Sequence, residues 1–518
     1  MSGKVADIIL FNANVLTLNS RCPWAELVAV QDGRILGVGG NEALGEFKGA
    51  STEAIDCRGR TVIPGFNDAH CHLAAYAESL LSANLNQDKV QAITDIQNEI
   101  RKLAGNLPVG KWVRGAGYNE FYLAEKRHPN RWDLDEATIN HPVKLTHRSG
   151  HAHVLNSRAL ELIGISGETP EPPGGMIERN LMTGEPNGVL YGMGDYLAEL
   201  VPPLDEKELE HGIKLASDKL ISLGITSLQD ASPRNDLKRW QKLKEWQDRG
   251  QLRTGVTMML GIDTSRQCLE QDVTLQRGDH KLRLGAVKII LDETRGQLNP
   301  PQTELNETVL EIHQSGFQVA LHAVEENTIE AACLALEYTL QRVPRTDHRH
   351  RVEHSSVCTP SMARRLASLG AVVVTQPSFI YYSGERYLAT VPEEQLRHLY
   401  PIATLIKAGL KVGAGSDCPV VPPDPLSGIY AAVTRKAKTG QTILPEERIT
   451  PLEALRMYTE GAAFACFEEA VKGSILPGKV ADLAVLNADP LSVAPEDIEH
   501  LTVEMTMADG EIVWRRSL

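Results

Sequence analysis

Two histidines one residue apart, His70 and His72, end the segment TVIPGFNDAHCHL, and Asp68 stands just before them. In a β-strand alternate residues point to the same face, so Asp68, His70 and His72 would share a face and Cys71 would lie opposite. Two imidazoles on one face can bind a single metal ion. Taken alone, so short a motif more often reflects packed or surface histidines than a metal site.

Four further ionisable residues occupy comparable places along the chain. His322 ends the strand-like run QVALHA, His354 ends RVEH, and Asp417 ends VGAGSD. Lys288 lies within AVKIILD, an apolar setting in which a charged amine is unfavourable. Independent packing accidents would not be expected to select the same end of several strands, so these residues together with His70 and His72 predict one site.

Each residue type in this set has a chemical reason to be there. Neutral imidazoles and carboxylates suit zinc and similar divalent metals. A buried lysine is more often the free amine, which can react with carbon dioxide to give a carbamate that bridges two cations. Two metals about 3.5–4 Å apart can hold a hydroxide and polarise a carbonyl. Asp417 could take a proton from that water and return it to a leaving amine.

These residues must be positioned by the elements that carry them. Strand-like and helix-like segments alternate through the middle of the chain, which predicts a (β/α)8 TIM-type barrel with its active site at the carboxyl ends of the strands. The eight predicted strands are 61–70, 225–231, 254–260, 285–291, 317–323, 350–356, 371–377 and 411–417.

The rest of the chain predicts two additions to the barrel. The first 60 residues and residues 472–518 both read as short strands joined by Asp-Gly turns, which predicts a small β-sandwich domain built from both chain ends around a barrel at 61–471. About 150 residues separate the first and second barrel strands, more than one helix needs. The Gly/Pro-rich part of this gap, about 106–200, predicts an insertion.

Composition excludes several classes of partner. The 53 Lys and Arg against 67 Asp and Glu give a net charge of −14, which argues against nucleic acid or an anionic membrane as the main partner. The net charge says little about the substrate, which we expect to be a small molecule because of the predicted site. No apolar run approaches the roughly 18 residues of a membrane span, and the N-terminus lacks the apolar core of a signal peptide. Eight scattered cysteines without a C-x-x-C pair predict a reducing, cytoplasmic setting.

Other catalytic motifs are missing from the sequence. GAGYN and GAGSD are glycine-rich but are not part of a G-x-G-x-x-G motif, so these loops do not predict dinucleotide binding. No G-K-[ST] follows either segment, so they do not predict a phosphate-binding loop. No G-x-S-x-G occurs, so a serine-hydrolase nucleophile elbow is unsupported.

Longer segments resemble a known family. PGFNDAHCH resembles the first-strand signature of the amidohydrolase superfamily, and GSILPGKVADLAVLNADP (473–490) resembles its return to the small β domain. HRSGHAHVLNSRAL (147–160), PPGGMIERNLMTGEPNGVL (172–190), VKIILD and GSDCPV are similar to the branch of N-substituted formamide deformylases. The resemblance covers nearly the whole chain in the same order.

The resemblance implies a role for each site residue. His70, His72 and Asp417 would bind the more buried metal, His322 and His354 the second, and a carbamylated Lys288 would bridge them. It implies one or two divalent ions per chain, zinc first among them, and a homo-oligomer. The implied reaction is cleavage of a C–N bond in an amide or an N-formyl or N-acyl amine by attack of a metal-bound hydroxide.

Several alternatives remain open at this stage. The same ligands would serve hydrolysis of a cyclic amide, a carbamate-type ester or an amidine, or a one-metal enzyme with unmodified Lys288. A non-catalytic barrel acting in protein assembly is disfavoured because all six ligand positions are filled. His151 and Tyr118 are candidates for substrate binding, with packing as the alternative, and His348 and His350 are interpreted as structural or surface residues.

Overall fold

The structure of the chain is a computed structural model that describes residues 5–271, 277–293 and 296–516. The chain divides into two compact units. The first comprises Met1–His72, Ser217–Asp417 and Pro423–Leu518, and the second comprises Leu73–Ala216 and Cys418–Pro422.

An eight-stranded parallel sheet forms the centre of the first unit, and its strands follow one another in chain order around a nearly closed barrel. All eight predicted strands are present, and the mixed α/β architecture is consistent with the predicted TIM-type barrel. Near-continuous apolar runs such as VVVT at 372–375 explain the burial of these strands on both faces. The barrel strands are Phe66–Cys71, Ile225–Asp230, Gly255–Leu260, Leu282–Ile290, Val319–Ala323, Arg351–His354, Val372–Thr375 and Lys411–Ala414.

The seam between the first and eighth barrel strands is closed by residues just beyond the eighth. The Asp417 backbone N–H donates to the His70 carbonyl at 2.7 Å. The Ser416 backbone N–H and hydroxyl donate to the two carboxylate oxygens of Asp68 at 2.9 and 2.5 Å. Gly415 allows this approach, because a Cβ there would lie 2.5 Å from the His70 nitrogen. Asp68 therefore closes the barrel, although its place beside His70 suggested a role in the site.

Helices connect and cover the barrel strands. Capping is visible in the sequence at several of them: the Thr359 side chain accepts from the Met362 N–H where a helix begins with Pro360. No helix in the described ranges combines the length and apolar character that a bilayer span requires. Among the described residues of this unit, the helices of four or more residues are Leu44–Phe47, Leu237–Asp248, Ile262–Glu270, Gln302–Gln314, Glu326–Arg342, Pro360–Ser368, Ser378–Thr390, Glu393–Leu396, Ile402–Lys407, Pro425–Thr434, Pro451–Arg456, the π-helix Met457–Gly461, Ala462–Ala465 and the 3-10 helix Pro495–His500.

The predicted first strand, 61–70, is in fact two strands in two sheets. Thr61–Pro64 pairs with the antiparallel strand Leu483–Leu486, whereas Phe66–Cys71 begins the barrel. The chain changes sheet at Gly65, where a Cβ would lie 2.3 Å from the Thr226 hydroxyl. The segment 61–70 resembles one strand because it is apolar and buried throughout. Pro64 and Gly65 end the strand pairing of its first half but leave the segment buried.

Both chain ends contribute to two further sheets in the first unit. Leu10 and Val30 of one sheet and Val62, Val485 and Met507 of the other belong to one apolar cluster. The separate β-sandwich domain at 1–60 and 472–518 stays a prediction, because the two ends fall in the same compact unit as the barrel. The four-stranded sheet comprises Ile8–Phe11, Leu27–Gln31, Arg34–Gly39 and Glu53–Asp56, and the six-stranded sheet comprises Asn14–Leu16, Trp24–Ala25, Thr61–Pro64, Leu483–Leu486, Val503–Ala508 and Glu511–Arg515.

The two predicted Asp-Gly turns are confirmed. Asp32 and Gly33 have φ of 50° and 75° between strands paired at Gln31 and Arg34. Asp509 and Gly510 have φ of 51° and 76° in the equivalent place near the other chain end. Two successive left-handed residues are what a tight two-residue hairpin requires, and Asp-Gly provides them readily.

The second unit has a six-stranded sheet and its own apolar core. Leu85, Ile96, Leu145 and Val154 belong to this core. The unit is longer than the predicted insertion at 106–200, because the elements before residue 106 also belong to it. Its strands are Ala83–Asn84, Val113–Tyr118, Val143–His147, Ala152–Leu155, Met176–Arg179 and Pro186–Tyr191. Its helices are Leu73–Leu81, Ile93–Ala104, Arg131–Asp135, Ser157–Ile163 and Gly194–Leu200. The helix Glu206–Ser222 begins in this unit and ends in the first.

His313, His348 and His350 form a buried chain of neutral imidazoles below the sixth barrel strand. The Val319 N–H donates to His350 Nδ1, so the Nε2 proton of His350 points to His313 Nδ1 at 2.7 Å. His348 accepts from the His350 N–H and donates to the Leu369 carbonyl. Burial lowers the pKa of all three imidazoles. The interpretation of His348 and His350 as structural residues fits these contacts.

Because these three histidines are buried and neutral, we expect the stability of the protein to fall in acid. Burial holds the pKa of His350 in the folded protein below its value in the unfolded chain. The neutral imidazole therefore makes its full contribution to the stability of the protein above about pH 6.5, and this contribution falls as the pH drops towards the folded pKa. We expect His350→Gln to reduce the slope of unfolding free energy against pH by about 1.4 kcal/mol per pH unit below pH 6.5. Urea unfolding between pH 5 and 8 measures this slope.

The control is His211→Gln, which changes an exposed histidine. An unaltered slope in the His350 variant would show that the buried chain does not set the acid sensitivity.

Candidate metal centre

Three of the predicted ligands converge where the first and eighth barrel strands end. Asp417 Oδ1 lies 3.1 Å from His72 Nε2 and 3.6 Å from His70 Nε2. The donor atoms of His70, His72 and Asp417 lie within 4.8 Å of one another. His70 and Asp417 are buried, while the His72 side chain is about one-quarter exposed. This is the spacing expected of ligands that share one ion.

The other three predicted ligands adjoin this group. Lys288 Nζ lies 3.4 Å from His70 Nε2. The His354 ring centroid lies 4.8 Å from that of His70 and 4.4 Å from that of His322. The structure therefore brings all six residues together at one mouth of the barrel, as their positions on the strands predicted. Their binding of metal stays a prediction.

Burial favours the uncharged forms of the basic residues. It lowers the pKa of His70 well below its usual value, with the positive charge of Lys288 as the next cause, and it also lowers the pKa of His354. Burial lowers the pKa of Lys288 to about 8, against the raising effect of Glu353 and Asp417. Neutral imidazoles present free lone pairs, and an amine with this pKa is partly unprotonated near neutral pH.

The carboxyl group of Asp417 behaves in the opposite way. Burial alone would raise its pKa, but the surrounding imidazoles of His72, His70 and His354 outweigh burial and lower it. Asp417 is therefore a carboxylate facing neutral imidazoles. This donor set of imidazole nitrogens and a carboxylate oxygen fits zinc or a similar divalent ion.

Two of these residues adopt unusual backbone conformations. His354 has φ of 72° and Asp417 has φ of 58°, both in the left-handed region that residues other than glycine seldom adopt. Such conformations cost of the order of 1–3 kcal/mol each and cluster at functional sites. Here they occur where the sixth strand ends and just beyond the eighth, and so affect the direction of both side chains.

The sequence analysis missed the residues that hold the imidazoles in place. His70 Nδ1 donates to Glu353, His72 Nδ1 donates to the Ser232 hydroxyl, and His354 Nδ1 donates to Gln376 Oε1. Such contacts orient the ring and leave Nε2 for a metal. One signal was available: Arg351 and Glu353 place two charges on the same face of the buried strand RVEH.

The two tentative substrate-binding residues lie in the second unit, whereas the six ligands lie in the first. Tyr118 is fully buried, and its hydroxyl lies 3.0 Å from His128 Nδ1. His151 is exposed. The same unit also holds an ion pair between Glu120 and His147 at 2.9 Å that the sequence analysis did not predict. Substrate binding by Tyr118 and His151 stays a prediction.

Comparison with known proteins agrees with the barrel and its site. Residues 53–514 match the model of the amidohydrolase family. The N-substituted formamide deformylase of Arthrobacter pascens is 30% identical over 99% of each chain, and a putative amidohydrolase of Bacillus subtilis is 29% identical over 95% of this chain and 96% of its own. The crystal structure of an uncharacterized metal-dependent hydrolase from Pyrococcus furiosus is 25% identical, with a TM-score of 0.73 over 94% of this chain and 100% of its own.

The chain therefore belongs to the amidohydrolase family, as its motifs suggested. The match is not confined to the segments that carry the predicted ligands, because the deformylase aligns with the second unit as well as with the barrel.

The tight packing of Gly415 on the first strand yields a prediction. A methyl group in Gly415→Ala would meet the His70 nitrogen at 2.5 Å and the His70 Cβ at 2.7 Å, so the first strand must shift. We expect destabilisation of about 1–3 kcal/mol together with reduced zinc content. Thermal unfolding and elemental analysis measure the two effects.

Gly45→Ala is the matched control, because no heavy atom lies within 4 Å of the Cβ built there. If Gly415→Ala retained both the melting temperature and the zinc content of the control, the seam would not position His70.

Proposed function

We propose that this protein is a metal-dependent hydrolase that cleaves the C–N bond of an amide, most specifically of an N-formyl or N-acyl amine. The observation that carries the proposal is the convergence of His70, His72 and Asp417 donor atoms at the carboxyl ends of the barrel strands. Family membership supports hydrolysis, and the Arthrobacter relative supports the N-formyl group as the first substrate to examine.

The six residues would hold one or two zinc ions. His70, His72 and Asp417 would form one group of ligands, and His322 and His354 would form the second, with Lys288 Nζ beside His70. A divalent ion in such a site lowers the pKa of a bound water and polarises a substrate carbonyl. The name of the Pyrococcus hydrolase also supports metal dependence.

The protein side chains supply orientation and proton transfer. Hydrolysis adds the oxygen of water to the carbonyl carbon and transfers its protons to the leaving nitrogen as the C–N bond breaks. Asp417 is ionised and next to the ligand imidazoles, so its carboxylate can accept the first proton and donate it to the departing amine. The buried environment excludes bulk water from His70 and His354, which strengthens electrostatic interactions at the reacting carbonyl.

The same site could also hydrolyse other substrates in which an electrophilic carbon is bonded to a nitrogen or oxygen leaving group. Cyclic amides, carbamate-type esters and amidines are therefore the second candidates. A non-catalytic role in protein assembly is less well supported, because the ligand and proton-transfer positions are all filled. A cytoplasmic setting and a homo-oligomer remain part of the proposal, with a small molecule as the substrate.

The proposal predicts metal-dependent release of formate or another carboxylate. Protein purified without chelator and supplied with bicarbonate should contain close to two equivalents of zinc under the bridged-site hypothesis. It should hydrolyse N-substituted formamides faster than N-acetyl amines or cyclic amides. Chelation should abolish turnover, zinc should restore it, and Asp417→Asn should reduce kcat by about 10²–10⁴-fold.

The control for Asp417→Asn is Asp68→Asn, which alters the neighbouring seam carboxylate and not a predicted ligand. Its turnover should fall less at equal zinc content. Zinc-loaded protein that hydrolyses none of the three substrate classes would contradict the proposed activity.

Lys288 provides a separate prediction about metal number. With its amine carbamylated, Lys288→Ala should lose at least one equivalent of metal, and acetate should restore part of it by replacing the missing carboxylate. Labelling with ¹³C-bicarbonate should give a carbamate resonance in the wild type only. Lys144→Ala, in the second unit, is the control.

Unchanged metal content in Lys288→Ala, without a carbamate resonance in the wild type, would instead support a one-metal enzyme with a free lysine amine.

A further inference from the structure

We propose that Arg351 and Glu353 form a positioning pair that holds His70 with Nε2 towards the metal and makes it a stronger donor than His72 or His354. This inference rests on the proposed metal centre and adds two residues that determine its affinity. Neither residue contributes a donor atom to the converging group of ligands.

The contact between Glu353 and His70 is short and fully enclosed. Glu353 Oε2 lies 2.5 Å from His70 Nδ1, and the side chains of Glu353 and His70 are 0% and 1% exposed. Because the carboxylate accepts the Nδ1 proton, the other ring nitrogen, Nε2, is the one left with a lone pair. That nitrogen faces Asp417 and Lys288. The tautomer required for metal binding is thus set by Glu353.

Arg351 fixes the carboxylate in turn. Its Nε and Nη2 donate to the two oxygens of Glu353 at 2.7 and 3.1 Å, a two-pronged contact that restricts the carboxylate to one orientation. The guanidinium also donates to the Ala69 carbonyl at 2.8 Å and to Gln229 Oε1. These contacts join the sixth barrel strand to the first and second across the interior of the barrel.

The three oriented imidazoles are held by three different acceptors. His70 faces a carboxylate, His72 faces a hydroxyl that itself donates to Asp230, and His354 faces a neutral amide. A negatively charged acceptor increases electron density on the ring more than a neutral one does. We therefore expect the order of donor strength to follow these acceptors, with His70 first.

A purely structural role for the pair is the alternative. Replacing a buried ion pair by neutral residues is often harmless to stability, whereas removing one partner leaves an unpaired buried charge. The test therefore replaces both charges together and measures metal binding directly. Arg351→Met/Glu353→Gln removes both charges and keeps an oxygen that can accept from His70.

The experiment measures the zinc dissociation constant by competition with a chromogenic chelator, on full-length protein. We expect zinc binding by Arg351→Met/Glu353→Gln to be about 10–100-fold weaker than by wild type. Arg351→Lys keeps the charge of the pair but loses the two-pronged contact, so its affinity should lie between the two. The visible spectrum of the cobalt(II)-substituted proteins should shift in the same order, because it reports the ligand field directly.

The matched control is Lys472→Met/Glu468→Gln. It removes another buried ion pair of the first unit, with a separation of 3.3 Å and side chains 4% and 2% exposed. Neither residue contacts a predicted ligand in the described structure, so zinc affinity and the cobalt spectrum should match the wild type.

The outcomes separate this inference from the proposed function. If Arg351→Met/Glu353→Gln folds and binds zinc as tightly as the wild type, the positioning role is overturned and the proposed metal-dependent function is unaffected. If the double variant does not fold, Arg351→Lys provides the same test. An equal loss in the control pair also overturns it, because the effect would then be general. Wild-type protein that binds no zinc overturns the proposed metal centre and this inference together.

Discussion

Closure of the barrel between its first and eighth strands is the constraint on which the site depends. His70 and His72 arrive from one side of this seam and Asp417 from the other, almost 350 residues later in the chain. The hydrogen bond from the Asp417 N–H to the His70 carbonyl joins the backbones of two predicted ligands directly. Because the same few contacts close the sheet and bring the ligands together, folding of the barrel and assembly of the site are one event.

Burial has opposite effects at this seam. It lowers the pKa of the imidazoles and of Lys288, which keeps their nitrogens available, and it would raise the pKa of Asp417 without the neighbouring histidines. Left-handed conformations at His354 and Asp417 and a buried Arg351–Glu353 pair add unfavourable free energy. The apolar barrel core must offset that free energy, as is usual where a site is arranged for chemistry and not for stability.

The sequence was most informative where chemistry and periodicity agreed. Ligands at the ends of apolar runs, such as His322 and His354, located both the strands and the site, because parallel strands end at the same mouth of a barrel. The segment 61–70 was read as one strand because both halves are buried, and burial does not reveal a change of sheet. The strand Val113–Tyr118 was not predicted because Gly115 and Gly117 interrupt its alternation.

Residues that act through other residues were the hardest to predict. Ser232 contacts His72 from a segment 160 residues away, so no local spacing identifies it. Glu353 stood out only as a charge beside Arg351 on a buried strand, and that pattern does not show that it faces His70. Gln376 carries no charge and follows an apolar strand without any distinguishing pattern. Their roles follow from tertiary geometry alone, whereas the ligands were recognisable because their residue types are rare at strand ends.

The pairing of Thr61–Pro64 with Leu483–Leu486 has a consequence for synthesis of the chain. An early strand must wait for a partner about 420 residues later, which at ribosomal rates of about 5–20 residues per second means roughly 20–80 seconds. During that time the edge of Thr61–Pro64 that pairs with Leu483–Leu486 has no native neighbour and can pair with other chains. Vectorial folding of this protein therefore completes the six-stranded sheet last, and protection of that edge by chaperones would matter more in the cell than in a refolding experiment.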